Sequence, residues 1–313
     1  MRFLKRQIKT LSYAANGTDS LDLPRNYQYH QLGLRLKGIV TVGTAAATAI
    51  LQDSPFSLVE RIEVVVNGKD TIKSYSGRDL KALMQINSHT LSEVTQPGKT
   101  VAAHSFNAYM VVDFAMPNAK VELDTLANSA IMSTFQLRVV WAAETALLTP
   151  AATTTLAVSA CTLAVSSIES IGSAPESVFM TNKEYIIEKE VTSTTSSFQI
   201  DLPADNTYRR LVLISTDAGV RESDIINSIT LKSGTDVFVQ IDAPSLIDSN
   251  KLDFELEAVS TGVYVIDLSK YGSMRDILDM SQRTSFELVL DVAVGAGTTK
   301  IRVIPQQVVV PSK

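Results

Sequence analysis

The sequence predicts an all-β protein: two tandem jelly-roll β-sandwiches (a double jelly roll) with few short helices. Three observations predict it. Ser, Thr, Val and Ile are abundant, and apolar residues alternate with polar ones over short runs, the period of a half-buried strand. A helical pattern follows an early hairpin, which suits a jelly roll better than an up-and-down barrel. The same succession of strands and turns also occurs twice. At 313 residues the chain has room for about two domains of roughly 150 residues each.

The doubled element opens each unit. Leu21-Asp22-Leu23-Pro24 is followed by Tyr29 and then by Leu32, Leu34 and Leu36 at alternate positions. Ile200-Asp201-Leu202-Pro203 is followed by Tyr208, Leu211 and Leu213. Further on, Val59, Ile62 and Val64 lead into Asn67-Gly68, a strong two-residue hairpin signal between strands Arg61–Val66 and Lys69–Tyr75. Ile226, Ile229 and Leu231 lead into Ser233-Gly234 in the same way, and Asp70 and Asp236 follow each glycine at the same distance. Gly77–Asn87 then places Leu80, Leu83 and Met84 on one face, the spacing of an amphipathic helix. Ala243–Asp248 predicts a short helix at the same place in the second unit, and Met274–Met280 predicts another helical turn.

The later parts of the units also match in order. Tyr109–Phe114 predicts a strand stopped by Pro117, and Val111-Val112-Asp113-Phe114 pairs with Val265-Ile266-Asp267-Leu268. Asp124-Thr125-Leu126 pairs with Asp276-Ile277-Leu278. Phe135–Trp141 alternates clearly, and Thr134-Phe135-Gln136-Leu137 pairs with Ser285-Phe286-Glu287-Leu288. Phe286–Val294 and Lys300–Ile304 predict the closing strands. Gln7–Leu11 and Ile187–Val191 each lead into a Ser/Thr-rich turn before the opening element. Each match is weak alone; their common order carries the inference. Ser166–Glu176 reads as a linker by its Gly, Pro and Ser content, dividing the chain into residues 1–172 and 173–313. Ala142–Thr155 reads as a packed loop between the last two strands of the first unit.

Composition excludes several classes. The chain is 45% hydrophobic and 19% charged, which is a globular composition with ample core. A formal net charge of -5 argues against a protein that coats nucleic acid, because phosphate neutralisation needs clustered Lys and Arg. No apolar run approaches the length that spans a bilayer. The N-terminus is basic but lacks a continuous apolar stretch and a small-residue cleavage site, so it does not read as a signal peptide. The single cysteine, Cys161, excludes an intrachain disulfide and a Cys-based metal cluster, and its apolar surroundings predict a small buried side chain.

No catalytic or cofactor-binding constellation is present. His30, His89 and His104 are widely spaced and form no zinc motif, and neither a Gly-x-Ser-x-Gly elbow nor a phosphate-binding loop occurs. Asp217, Glu222, Asp224, Asp236, Asp242, Asp248, Asp253, Glu255 and Glu257 crowd the second unit. They predict a solvated acidic face, with a structural Ca2+ site as the alternative and no ligand assigned. Tyr208-Arg209-Arg210 predicts salt-bridge partners within a sheet or between subunits. At the N-terminus Arg2, Phe3, Leu4, Lys5 and Arg6 interleave cations with apolar residues. They form either a membrane-facing tail, each cation near an anionic surface contributing about 1 kcal/mol, or the start of the first strand; a free tip followed by strand satisfies both.

Two such units, carried by the paired Leu21–Pro24 and Ile200–Pro203 elements and the paired hairpins, resemble the double jelly-roll major capsid proteins. These belong to tailless icosahedral viruses with an internal membrane, of tectivirus, corticovirus and finnlakevirus type. The resemblance spans nearly the whole chain and rests on architecture, size and duplication. It implies a non-enzymatic virion protein without cofactors, made in the host cytoplasm. It implies pseudo-hexagonal homotrimers that tile an icosahedral shell, with strands roughly perpendicular to the capsid surface. The implied partners are neighbouring capsomers, vertex or spike proteins and the internal lipid membrane, with no direct nucleic-acid contact. The alternatives are a tandem β-sandwich that binds carbohydrate or a receptor, such as a viral spike, and a tandem jelly-roll hydrolase or lyase. One Trp and 6% aromatic residues count against a glycan groove, and the lack of clustered His counts against a cupin-type enzyme.

Overall fold

The principal strands of the first unit are β1 (Arg2–Ser12), β2 (Thr18–Asp22), β3 (Gln28–Gly43), β4 (Val59–Val66), β5 (Asp70–Tyr75), β6 (Ala102–Asp113), β7 (Phe135–Trp141) and β8 (Thr155–Ile171). They pair antiparallel in the orders β1-β8-β3-β6 and β2-β7-β4-β5. That wiring is a jelly roll. The second unit has β9 (Ile187–Val191), β10 (Thr195–Asp201), β11 (Thr207–Asp217), β12 (Ile226–Ser233), β13 (Asp236–Asp242), β14 (Val263–Asp267), β15 (Glu287–Val292) and β16 (Thr299–Val309). They pair in the orders β9-β16-β11-β14 and β10-β15-β12-β13. The two jelly rolls therefore have one topology. Helix α1 (Gly77–Ser88) follows the β4–β5 hairpin, and α2 (Ala243–Asp253) follows β12–β13.

The computed structural model describes residues 2–88, 94–116, 125–171, 180–204, 206–269 and 276–309. The main body of the first unit ends at Asn182 and that of the second runs from Lys183 to Val309. The expected boundary after residue 172, His89, Pro117 and Asp124 lie outside the described residues.

The repeat extends to individual atoms. Leu23 N–H donates to Phe135 O at 2.8 Å, and Leu202 N–H donates to Phe286 O at 2.8 Å. Tyr29 Oη donates to Pro24 O at 2.8 Å, and Tyr208 Oη to Pro203 O at 2.5 Å. The Tyr29 and Phe135 rings lie 4.9 Å apart, those of Tyr208 and Phe286 4.8 Å apart. Val64 faces Leu137 as Leu231 faces Leu288; Ile62 faces Val139 as Ile229 faces Leu290. The proline ends each short strand because it cannot donate to a ladder. The tyrosine hydroxyl then satisfies the carbonyl that this leaves under a buried ring.

Local chemistry explains the hairpin and helices. Asn67 and Gly68 have φ of 53° and 75°, the left-handed pair that a tight hairpin requires. Asn67 Oδ1 also accepts the Ser133 N–H at 2.8 Å. Before α1, Ser76 and Asp79 cap each other: Asp79 Oδ2 accepts the Ser76 N–H at 3.1 Å, and Ser76 Oγ accepts the Asp79 N–H at 3.2 Å. Asp242 caps α2 by accepting the Ser245 N–H at 2.9 Å. Leu80, Leu83 and Met84 are buried as their spacing predicts. In the loop 142–154, Leu147 and Leu148 are fully buried, and Leu148–Thr149 pairs with Ala49–Ile50.

Three expectations need correction. Ser166–Ile171 is not linker but the end of β8, paired with β1 and β3. Its serines bond within the sheet, as Ser166 Oγ does to Gly33 O at 3.1 Å, so small polar residues there do not signal a loose segment. Met274 and Arg275 lie outside the described residues, and Leu278–Asp279 is a short strand on Tyr208 and Thr207, not a helical turn. Ladder bonds to β11 override a weak helical spacing there. The counterpart of Leu278 is Ala127, which pairs with Tyr29 as Leu278 pairs with Tyr208, so the expected match of Leu126 is one residue out of register.

Candidate assembly surfaces

The basic N-terminus is strand from Arg2 onward, in register with β8: Arg2 faces Ile171 and Arg6 faces Ser167. Strand parity then divides its residues between two faces. Leu4 is half-buried and Arg6 turns to Glu169. The Arg6 guanidinium donates to both carboxylate oxygens, Nε to Oε1 at 3.1 Å and Nη2 to Oε2 at 2.9 Å. Glu169 is fully buried, and Ser167 Oγ also donates to it at 2.5 Å. A bidentate, charge-assisted pair of this kind fixes both side chains. Phe3 and Lys5 point the other way: Phe3 is 58% exposed with its ring edge-on to His30 at 5.1 Å, and Lys5 is exposed. Of the five candidate membrane-facing residues, Phe3 and Lys5 thus present to solvent and Arg6 is held inward; the side chain of Arg2 lies outside the described residues.

The remaining candidates have structural roles. Arg210 donates to Asp267 Oδ2 at 2.8 Å across β11 and β14, and its guanidinium lies 4.8 Å over the Phe254 ring. Burial would raise the Asp267 carboxyl, but Arg210 and the Ser269 N–H hold it below the ordinary carboxylate range. Cys161 is buried, and burial pushes its thiol up to about 12. His104 bonds the Thr100 carbonyl at 2.8 Å. The acidic residues of the second unit are spread among separate tasks. Asp217 accepts the Gly297 N–H at 2.9 Å, Asp236 pairs with Arg283, and Asp248 pairs with Lys251 at 2.9 Å. Among the described residues, no three His, Cys, Asp or Glu side chains converge as a metal site would require. No described helix is long and apolar enough to cross a membrane.

Two sheet faces stand out by charge. On the outward face of β1-β8-β3-β6, Lys5, Arg35 and Lys37 are exposed; the latter two alternate with the buried Leu34 and Leu36. On the outward face of β10-β15-β12-β13, Asp201 is exposed, and Glu287 and Asp291 alternate with the buried Leu288, Leu290 and Val292. Sequence reasoning passed over both faces because each assembles from strands far apart in the chain. Fully buried Glu169 was missed for the same reason: its partner is 163 residues away.

No family model and no curated protein matches the sequence. Solved structures match the fold. The STIV major capsid protein aligns over 99% of this chain and 98% of its own, with a TM-score of 0.81 at 16% identity. The fold is shared end to end. The major capsid protein P2 of bacteriophage PM2 aligns over 100% of this chain and 99% of its own, with a TM-score of 0.68 at 12% identity. The Faustovirus major capsid protein covers 99% and 91%, with a TM-score of 0.69 at 9% identity. At these identities the likeness is one of fold, and it includes both jelly rolls of the chain.

Proposed function

We propose that this chain is a major capsid protein, a structural component of a virion with no catalytic role. The observation that carries the proposal is the correspondence of both jelly rolls, over nearly all of each chain, with the STIV and PM2 major capsid proteins. A tandem repeat of one topology has a physical use in a shell. Two alike units per chain and three chains per ring give six alike blocks around one axis, a hexagonal footprint that tiles. Assembly then depends on the chain's own surfaces, with vertex or spike proteins as further partners.

The finer reading is a shell around an internal lipid membrane. Exposed Phe3 and Lys5 on one face of β1 support it, since an aromatic ring and a cation suit an anionic lipid interface. Arg6 does not contribute, because its charge is already paired with Glu169. Electron microscopy of the purified protein tests the function: hexagonal capsomers or shells support it, and a monomer that binds glycans without assembling overturns it. Flotation with anionic vesicles tests the membrane contact separately; Phe3→Ser with Lys5→Ser abolishes flotation if β1 makes it.

A further inference from the structure

Resting on the homotrimer reading above, we propose that the two charged sheet faces are the two halves of the contact between copies. The outward face of β1-β8-β3-β6 in one copy packs on the outward face of β10-β15-β12-β13 in the next.

Charge complementarity carries the inference. The first face presents Arg35 and Lys37 on β3, and among the described residues neither has an ion-pair partner within its own chain. The second face presents Asp201 and Asp291, which accept hydrogen bonds from neutral amides: Gln199 at 2.7 Å and Asn227 at 3.3 Å. Glu287 stands directly opposite Asp201, with Lys232 at 3.3 Å on its other side. Each face also exposes apolar surface for a contact to bury: Ile39 and Tyr109 at 37% and 40% on the first, Val237 at 53% on the edge strand of the second. The first face also has a recess. Gly33 has no side chain, Tyr109 Oη lies where a Cβ would sit, and a hollow of about 340 Å³ opens between Lys5, Tyr109 and Ser166.

The two faces differ, so the contact is head-to-tail. Such contacts either close into rings or grow into open filaments, and complementary charge on unlike faces disfavours a face-to-face dimer of like with like. Three copies close the ring that the capsid reading requires.

Light scattering of the full chain on a sizing column, at several NaCl concentrations, tests the assignment. Arg35→Glu with Lys37→Glu reverses the first face; Asp201→Lys with Asp291→Lys reverses the second. Each pair alone weakens trimer association at least tenfold. The four changes together restore it, because the faces are again opposite. Rising NaCl weakens the parent trimer, a measurement that needs no variant. A parent trimer indifferent to salt, a face reversal that leaves the trimer intact, or a fourfold variant that fails to re-form it overturns the assignment while leaving the capsid reading in place. A parent chain that is monomeric overturns the capsid reading itself.

Discussion

Tyr208→Phe removes one oxygen and little else, which makes it a sharp probe of the repeated device that starts each jelly roll. That oxygen donates to Pro203 O at 2.5 Å and accepts from Gln307 Nε2 at 2.8 Å. Tyr208 and Gln307 are 0% and 1% exposed, so water cannot replace either bond. The ring stays 4.8 Å from Phe286 and no cavity opens. A buried hydrogen bond contributes about 1 kcal/mol net, and a stranded buried partner adds to the loss. Two bonds therefore predict a loss of about 2–3 kcal/mol from the second unit. With a urea dependence of about 1–3 kcal/mol per molar, the midpoint of that unit falls by about 1 M. Hydrogen exchange locates the loss: amides of β10 to β16 exchange faster while those of β2 to β8 keep their protection. Tyr29→Phe, which loses the bond to Pro24, produces the mirror result in the first unit. A midpoint shift under about 0.2 M, or equal loss of protection in both units, refutes the account of the repeat as two separately latched jelly rolls.

Other outcomes follow from the same geometry. Asn67→Ala costs about 1–2 kcal/mol by chemical denaturation, since alanine disfavours a φ of 53° and cannot accept the Ser133 N–H; Asn67→Gly costs less. Cys161, with its thiol near 12, reacts with a disulfide reagent at pH 8 about a thousandfold more slowly than an exposed thiol, and rapidly only in denaturant; fast native labelling contradicts its burial. The Asp267 carboxyl titrates lower in the folded chain than unfolded, so its stabilisation is complete above about pH 4 and is lost as pH falls through the folded value. Asp267→Asn therefore lowers the urea midpoint at pH 7 and flattens its fall between pH 4 and 2; parallel curves for parent and variant contradict that role.

Much of the fold was legible because local rules and tertiary packing agree. Asn67-Gly68 marks its hairpin by backbone conformation alone, and Leu80, Leu83 and Met84 mark α1 by spacing. Leu23-Pro24 and Leu202-Pro203 do the same work in both units, so their likeness in sequence survives as a likeness in bonds. Where the signal was compositional it failed. Ser166–Ile171 looks like linker, yet serine hydroxyls bonded inside a sheet are as much at home as in a loop. Leu278–Asp279 carries a helical spacing but sits where β11 offers free ladder positions. The surfaces were the least legible part. Arg6 and Lys5 are neighbours in sequence and both cationic, but strand parity turns one to a buried carboxylate and leaves the other in solvent. The charged faces bring together β1 and β3 on either side of β8, and β10 with β15, neighbours that only the jelly-roll topology selects.

The central claim is that a doubled jelly roll serves as the building block of a shell. The mass of the purified full chain in solution, measured by light scattering across a sizing column, tests it most directly. The account predicts a species of three chain masses that persists on dilution and gives way to larger assemblies on concentration. A stable monomer, or a symmetric dimer that goes no further, contradicts it.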